Sequence, residues 1–222
     1  MERTIKVIGK GQLSLTPDTV RVRIELIDRE KEYEAAIRKS AEHSKEVREA
    51  FIRLGFKAED LKTQSFRVDT EYESYQDKED NCWKQRLVGY MAAHSLKVEF
   101  PREDDLLGKV LYQTARLSGK PEFQVEYTVK DPEKARNKLL EKAIEDSRAK
   151  AEVLTKAAGV SLAEIVTIDY SWNTVEFVAR PMNRMMAAKC LDSAEESIDF
   201  DVTPDDIRVE DTVTVIWEIA WK

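Results

Sequence analysis

Two histidines and two cysteines are all the imidazole and thiol chemistry the chain carries. His43 sits in a charged, helix-like run. His94 falls on the apolar side of a strand-like alternation, between Ala92 and Leu96. A general base needs a partner carboxylate within hydrogen-bond reach; in the enzyme reading, His94, Tyr90 and the carboxylates of the acidic loop are the first candidates. The other reading of His94 is a buried or edge histidine with a satisfied hydrogen bond. Histidine and cysteine show no zinc-ligand spacing. Asp199, Asp201, Thr203, Asp205, Asp206 and Glu210 place oxygen atoms at intervals resembling a calcium loop. Pro204 stands where such a loop turns on glycine, and a strand follows instead of a helix, so a solvated acidic loop is expected. Gly9-Lys10-Gly11 leads into another strand, not a helix N-terminus, which argues against phosphate binding and for a bulge or close backbone approach. No G-x-S-x-G, H-E-x-x-H or Walker loop is present. No catalytic residue, cofactor or metal site is expected.

The stretch after Trp172 is more informative. Phe177, Arg180, Met182, Arg184, Met185 and Met186 lie in a long segment without periodicity, residues 173–206. Methionine and arginine are enriched in interfaces, and methionine adapts to irregular surfaces. These six residues are the candidate interface, with packing of the loop on its own domain as the alternative. Asp192 to Asp211 then holds nine acids and one base, a net −8 in a chain of −7 overall. The acidity is therefore local, and belongs either to a contact loop or to a solubilising tip.

With 36% charged residues, 42% hydrophobic residues, seven glycines and six prolines, the chain reads as a globular protein rich in regular elements. An acidic balance without a Lys/Arg stripe disfavours nucleic acid. No apolar window is long enough for a membrane helix. No leader-like segment opens the chain, and Cys82 and Cys190 read as free thiols, so the cytoplasm is the expected compartment.

The elements follow from periodicity. Ile5, Val7, Leu13 and Leu15, then Val20, Val22, Ile24 and Leu26, alternate around Pro17-Asp18 and predict a long hairpin. Helical spacing runs from Glu30 to Leu54 and ends at Gly55. Strands follow over 61–75 and 88–100, separated by a charged tip. After Pro101 come a shorter helix, a strand at 123–129, and a helix opening on Asp131-Pro132 and closing at Gly159. Strands at 165–172 and 207–219 complete the order ββαββ-αβαββ. This predicts an α+β fold of largely antiparallel sheets, with two long helices and one shorter helix packed on one face. The chain is read as one unit that can divide into lobes of about 1–100 and 101–222.

Several pieces together resemble the SIMPL-domain family. They are the opening strand with Gly9 and Gly11, Pro17-Asp18 with the Val20/Val22 strand, Asp60-Leu61-Lys62-Thr63, and Gly89-Tyr90. Arg148-Ala149-Lys150-Ala151-Glu152, running on to Ala158-Gly159, and the closing Ile207/Val209/Val213/Val215 strand also fit. The resemblance covers essentially the whole chain. It departs at Pro204-Asp205, where the family often has Pro-Gly, and in showing no secretion signal. The resemblance implies an α+β fold, self-assembly, and roles associated with the envelope, stress or signalling. It carries no catalytic residue set. The expected function is a non-enzymatic, self-associating scaffold or binding module, a homo-oligomer with scope for a protein partner. An enzyme, or a ligand- or metal-binding module, is the alternative.

Overall fold

The computed structural model of the 222-residue chain describes residues 3–77, 82–170, 175–180 and 204–221. Its elements are β1 (Thr4–Leu15), β2 (Thr19–Glu30), α1 (Tyr33–Arg53), β3 (Lys62–Gln76), β4 (Trp83–Pro101) and α2 (Asp104–Ala115). β5 (Glu122–Thr128), α3 (Pro132–Ala157), β6 (Val160–Asp169), β7 (Val178–Ala179) and β8 (Ile207–Trp221) follow. Among the described residues the strands form a three-stranded sheet, β1-β8-β6, and a five-stranded sheet, β3-β4-β2-β5-β7. The β1·β8, β6·β8, β2·β4 and β3·β4 ladders are antiparallel. The class is α+β, as the alternating and helical periods predict.

The opening hairpin is not formed. β1 pairs with β8 and β2 pairs with β4, so the two strands belong to different sheets. Tight hairpins need turn residues that tolerate positive φ. Thr16-Pro17-Asp18 instead supplies a proline with fixed negative φ and no N–H. Asp18 turns the chain by donating its N–H to the Thr128 carbonyl (3.2 Å) and accepting from Lys130 N–H at Oδ1 (2.8 Å). The stretch read as irregular also contains β7, and β6 begins directly after Gly159, earlier than its side-chain pattern suggests. Gly55 (φ 95°) and Gly159 (φ 74°) follow the last residues of α1 and α3 in the left-handed conformation, as placed from sequence.

The chain divides into two compact units, one comprising Met1–Asp18, Thr128–Ala179 and Pro204–Lys222, the other Thr19–Tyr127 and Arg180–Thr203. In the first, α3 lies on β1, β8 and β6. Its buried stripe is Ala135, Leu139, Ala143, Ser147, Ala151 and Thr155, mostly small residues at four-residue spacing. Small residues let a helix come close to a strand, and β1 answers with Gly9 and Gly11 beneath the Ala143 and Leu139 carbonyls. Val7, Val213, Val215 and Trp217 fill the space on either side. The Trp217 indole N–H donates to Ser147 Oγ (3.2 Å), so the one buried ring nitrogen there is satisfied.

α3 starts on a working cap: Asp131 accepts from Lys134 N–H at 2.9 Å, with Pro132 at the first helical position. Asp131→Ala is expected to lower stability by about 1 kcal/mol, read as an earlier urea midpoint with an unchanged slope.

Three side chains of α3, one turn apart, reach past the sheet to the free edge of β1. Lys142 Nζ donates to the Gln12 carbonyl (3.3 Å) and Lys150 Nζ to the Ile8 carbonyl (3.2 Å). Between them Asp146 Oδ2 accepts from Lys10 N–H (2.7 Å). The hydrogen bond from Lys150, reinforced by Lys10 N–H, holds the Asp146 carboxyl below the usual carboxylate range. Three of the backbone groups that would otherwise invite another strand, the Gln12 and Ile8 carbonyls and the Lys10 N–H, are thus occupied.

In the second unit α1 covers β2 and β4. Val20, Val22, Ile24 and Leu26 from β2 and Leu96, Val98 and Phe100 from β4 are buried with Val47, Ala50 and Phe51 of α1. β2 accompanies β4 only between Tyr90 and Pro101. From Gly89 outward, β3 and β4 pair with no third strand among the described residues.

Candidate functional site

The part of the β3–β4 hairpin beyond Gly89 is a two-stranded ribbon exposed along its length. Directly paired residues share a face, and the pairs separate the ribbon into two unlike sides. Tyr72 opposite Leu87 and Gln76 opposite Trp83 make one side. Glu73 opposite Arg86 and Tyr75 opposite Lys84 make the other. On the polar side Arg86 Nη2 meets Glu73 at 2.8 Å, its guanidinium lies 5.7 Å from the Tyr75 ring centroid, and Lys84 pairs with Asp77. On the apolar side Trp83 is 73% exposed and Tyr72 57% exposed. A lone two-stranded hairpin is marginal in water, and large exposed apolar side chains grouped on one face mark interaction surfaces.

A second feature surrounds Arg180, one of the residues singled out from sequence. Arg180 Nε donates to Glu126 Oε1 (3.0 Å), and Arg23 Nε donates to Glu126 Oε2 (3.2 Å). Arg21 Nη1 lies 3.6 Å from the same Oε2, while its Nε donates to Glu99 (2.7 Å). Burial alone would raise the Glu99 pKa, but Arg21 and Lys97 outweigh it and hold the carboxyl low. Glu126 is fully buried. Both its oxygens are engaged, so the cluster fixes β2, β5 and the start of the segment after β7. Sequence reasoning did not find Glu126, because it alternates with Val125 and Tyr127 on what looked like a wet face. The signal was Arg21 and Arg23, two unbalanced cations two residues apart on one strand.

Phe177 lies buried with Ala135 and Ile207, and its carbonyl accepts from Thr128 Oγ1 (2.7 Å). It anchors the chain just before Arg180. Met182, Arg184, Met185 and Met186 lie outside the described residues.

His94 has the satisfied hydrogen bond of a structural histidine, and the carboxylate partner belongs to His43 instead. His94 Nε2 is 3.1 Å from Thr63 Oγ1, and the Phe66 ring meets it edge-on at 5.4 Å. Burial, then Arg48, lowers its pKa. Its neighbours are a hydroxyl and a ring, with no carboxylate among its hydrogen-bond partners in the described residues. Tyr90 packs edge-on against Tyr33 at 5.5 Å. His43, in contrast, has the carboxylate: its Nδ1 is 2.7 Å from Oδ1 of the buried Asp28. The nearby Ser118 hydroxyl donates to Glu46, and with the Ser118 N–H it holds the Glu46 carboxyl low. The hydroxyl is thus committed to a carboxylate rather than to the imidazole, and the group ties α1, β2 and the loop before β5 together.

Three of the described acids near the C-terminus have structural partners, and Asp205 is exposed. Asp206 accepts from Ser14 and Thr16, Glu210 pairs with Lys10 (2.7 Å), and Asp211 accepts from Tyr170 (2.9 Å). Burial and then Asp211 raise the Tyr170 pKa. Asp199, Asp201 and Thr203 of the calcium-like pattern lie outside the described residues. Among the described residues no group of three His, Cys, Asp or Glu is placed to hold a metal.

Residues 5–217 match the family model SIMPL, described as a protein of unknown function (DUF541). The chain belongs to the SIMPL family. Two relatives are the 26 kDa periplasmic immunogenic proteins of Brucella melitensis and Brucella abortus, each 27% identical over 164 residues, 74% of this chain. The match spans 65% of those relatives' own length. An uncharacterized protein YggE of Edwardsiella ictaluri is 29% identical over 136 residues, 61% of this chain and 54% of that protein. The SIMPL match thus runs from β1 to β8 and includes both units. Two of these relatives are named for the periplasm, in tension with the cytoplasmic expectation from sequence. No helix among the described residues is long and apolar enough to cross a membrane.

Proposed function

We propose that this SIMPL protein is a non-enzymatic, self-associating scaffold whose contact surface is the apolar side of the β3–β4 ribbon. The observation that carries this reading is the grouping of Tyr72, Leu87 and Trp83 on one face of a two-stranded extension, a face exposed among the described residues. Covering that face removes apolar area from water and gives the ribbon the third layer it lacks. The stretch with Phe177, Arg180, Met182, Arg184, Met185 and Met186 is a separate proposed contact segment, of which Arg180 is held on Glu126 and Phe177 is buried. The compartment favoured by the relatives' names is the periplasm, and a role in envelope stress or signalling fits a scaffold there.

The test is mass measurement by light scattering at micromolar concentration. The wild-type chain is expected above its monomer mass of 25.6 kDa. Trp83→Lys, at an exposed position that leaves the fold intact, is expected to return it to that mass. A wild-type chain that remains monomeric rejects the reading.

A further inference from the structure

The side chains with which α3 covers the β1 edge stop at Ile8. On β1 the backbone groups of even-numbered residues face away from β8: Ile8 and Gln12 offer their carbonyls, and Lys10 its N–H, to α3. Odd-numbered Arg3 instead gives its carbonyl to Ile219 N–H of β8. The next outward pair, on Lys6, therefore lies on the open edge one helical turn beyond Lys150, the last side chain that covers it. Beside it is a groove of about 650 Å³ lined by Lys6, Val7, Ile8, Ala149, Lys150, Val153 and Leu154. Ile8, Val153 and Leu154 are at least half exposed. A free strand edge beside an apolar helix flank is the geometry that accepts an added strand.

We propose that this groove receives the β3 edge of a second copy, so that the ribbon of one chain extends the β1-β8-β6 sheet of the next. The inference rests on the self-association reading and names its acceptor. β3 is an edge strand of its own sheet. Its two faces match the two faces of β1. On the α3 side, Tyr72 of the incoming strand meets Val153 and Leu154. On the opposite side, where Lys6 and Ile8 project, come Glu71, Glu73 and Tyr75. The charges agree as well. The groove is lined by two lysines and no acid; Lys150 pairs with Asp146 beside it (2.6 Å), which leaves Lys6 as the cation offered to the incoming strand. Residues 69–76 of β3 contain Asp69, Glu71 and Glu73 and no base. Asp69, Glu71 and Glu73 pair with Arg67, Arg29 and Arg86 in the single chain, but exposed pairs of this kind are worth little and exchange readily. Lys6 has no ion pair among the described residues. Ribbon and groove are different surfaces, so the contact is heterologous and each copy keeps one unused half until the assembly closes or propagates.

Two variants at exposed positions separate the halves: Tyr72→Lys spoils the ribbon and Val153→Glu spoils the groove. Each is expected to weaken association about thirtyfold or more, the size of a central anchor, and to run as a monomer with an unchanged circular dichroism spectrum. Mixed in equal amounts, they are expected to form a one-to-one dimer and nothing larger, because one intact ribbon meets one intact groove. If the mixture stays monomeric, the heterologous pairing is wrong. If Val153→Glu assembles like wild type while Tyr72→Lys does not, the groove is not the acceptor, although self-association stands. A monomeric wild type removes self-association and this inference with it.

Discussion

Glu126→Ala is expected to lower the unfolding free energy by about 3 kcal/mol, the lower end of the range for breaking a buried ion pair. The loss comes from what remains. Three guanidiniums converge on one carboxylate whose side chain is 1% exposed, and without it they face one another across a space water only partly reaches. The value sits at the lower end because Arg180 is 57% exposed and Arg21 keeps Glu99. Arg180→Ala removes only an exposed partner and is expected to cost about 1 kcal/mol or less. Urea unfolding of both variants measures the difference. A Glu126→Ala midpoint no lower than that of Arg180→Ala would show that the carboxylate is not the hub.

Gly9→Ala carries an expected loss of about 3 kcal/mol or more, at or above the upper end for overpacked sites. A Cβ at Gly9 would stand 1.9 Å from the Ala143 carbonyl oxygen, and one at Gly11 would stand 2.0 Å from that of Leu139. The obstacle is helix backbone, which cannot change rotamer, so α3 must lift from the sheet. Lifting it also separates Trp217 from Ser147 and pulls Lys142, Asp146 and Lys150 off the β1 edge. The double variant is expected to cost less than the sum of the singles, since once α3 has moved for one methyl the second meets little. A thermal midpoint for Gly9→Ala within a degree or two of wild type would rule out this close packing.

The glycine pair shows how much a local pattern can carry. Gly9-Lys10-Gly11 inside an alternating strand was legible as a close backbone approach, and the Ala/Ser stripe of α3 was legible as a helix face. That the two oppose each other was not legible, because more than a hundred residues separate them and nothing local couples them. His43 was passed over for the same reason. Its sequence neighbours are charged, but its hydrogen-bond partner Asp28 comes from β2. The exposed ribbon was half legible: the strands and their charged tip could be read, while its extension past the sheet depends on where β2 ends.

Side-chain order along the chain determined the element types, most of their limits, the helix caps and the α+β class. These rest on periods of two or 3.6 residues and on turn chemistry, which act within a few positions. It also carried the resemblance to SIMPL, since that rests on the order and spacing of short motifs. Tertiary structure decided which strands are neighbours: β1 with β8 rather than β2, and β2 with β4. Pairing depends on the burial of whole faces and on where the chain can turn, and Pro17 denied the local hairpin its turn. From that pairing come the features that matter for function. Glu126 is buried because β2 and β5 share a sheet; among the described residues the ribbon is bare because β2 stops short of it, and the β1 edge is open where the reach of α3 ends.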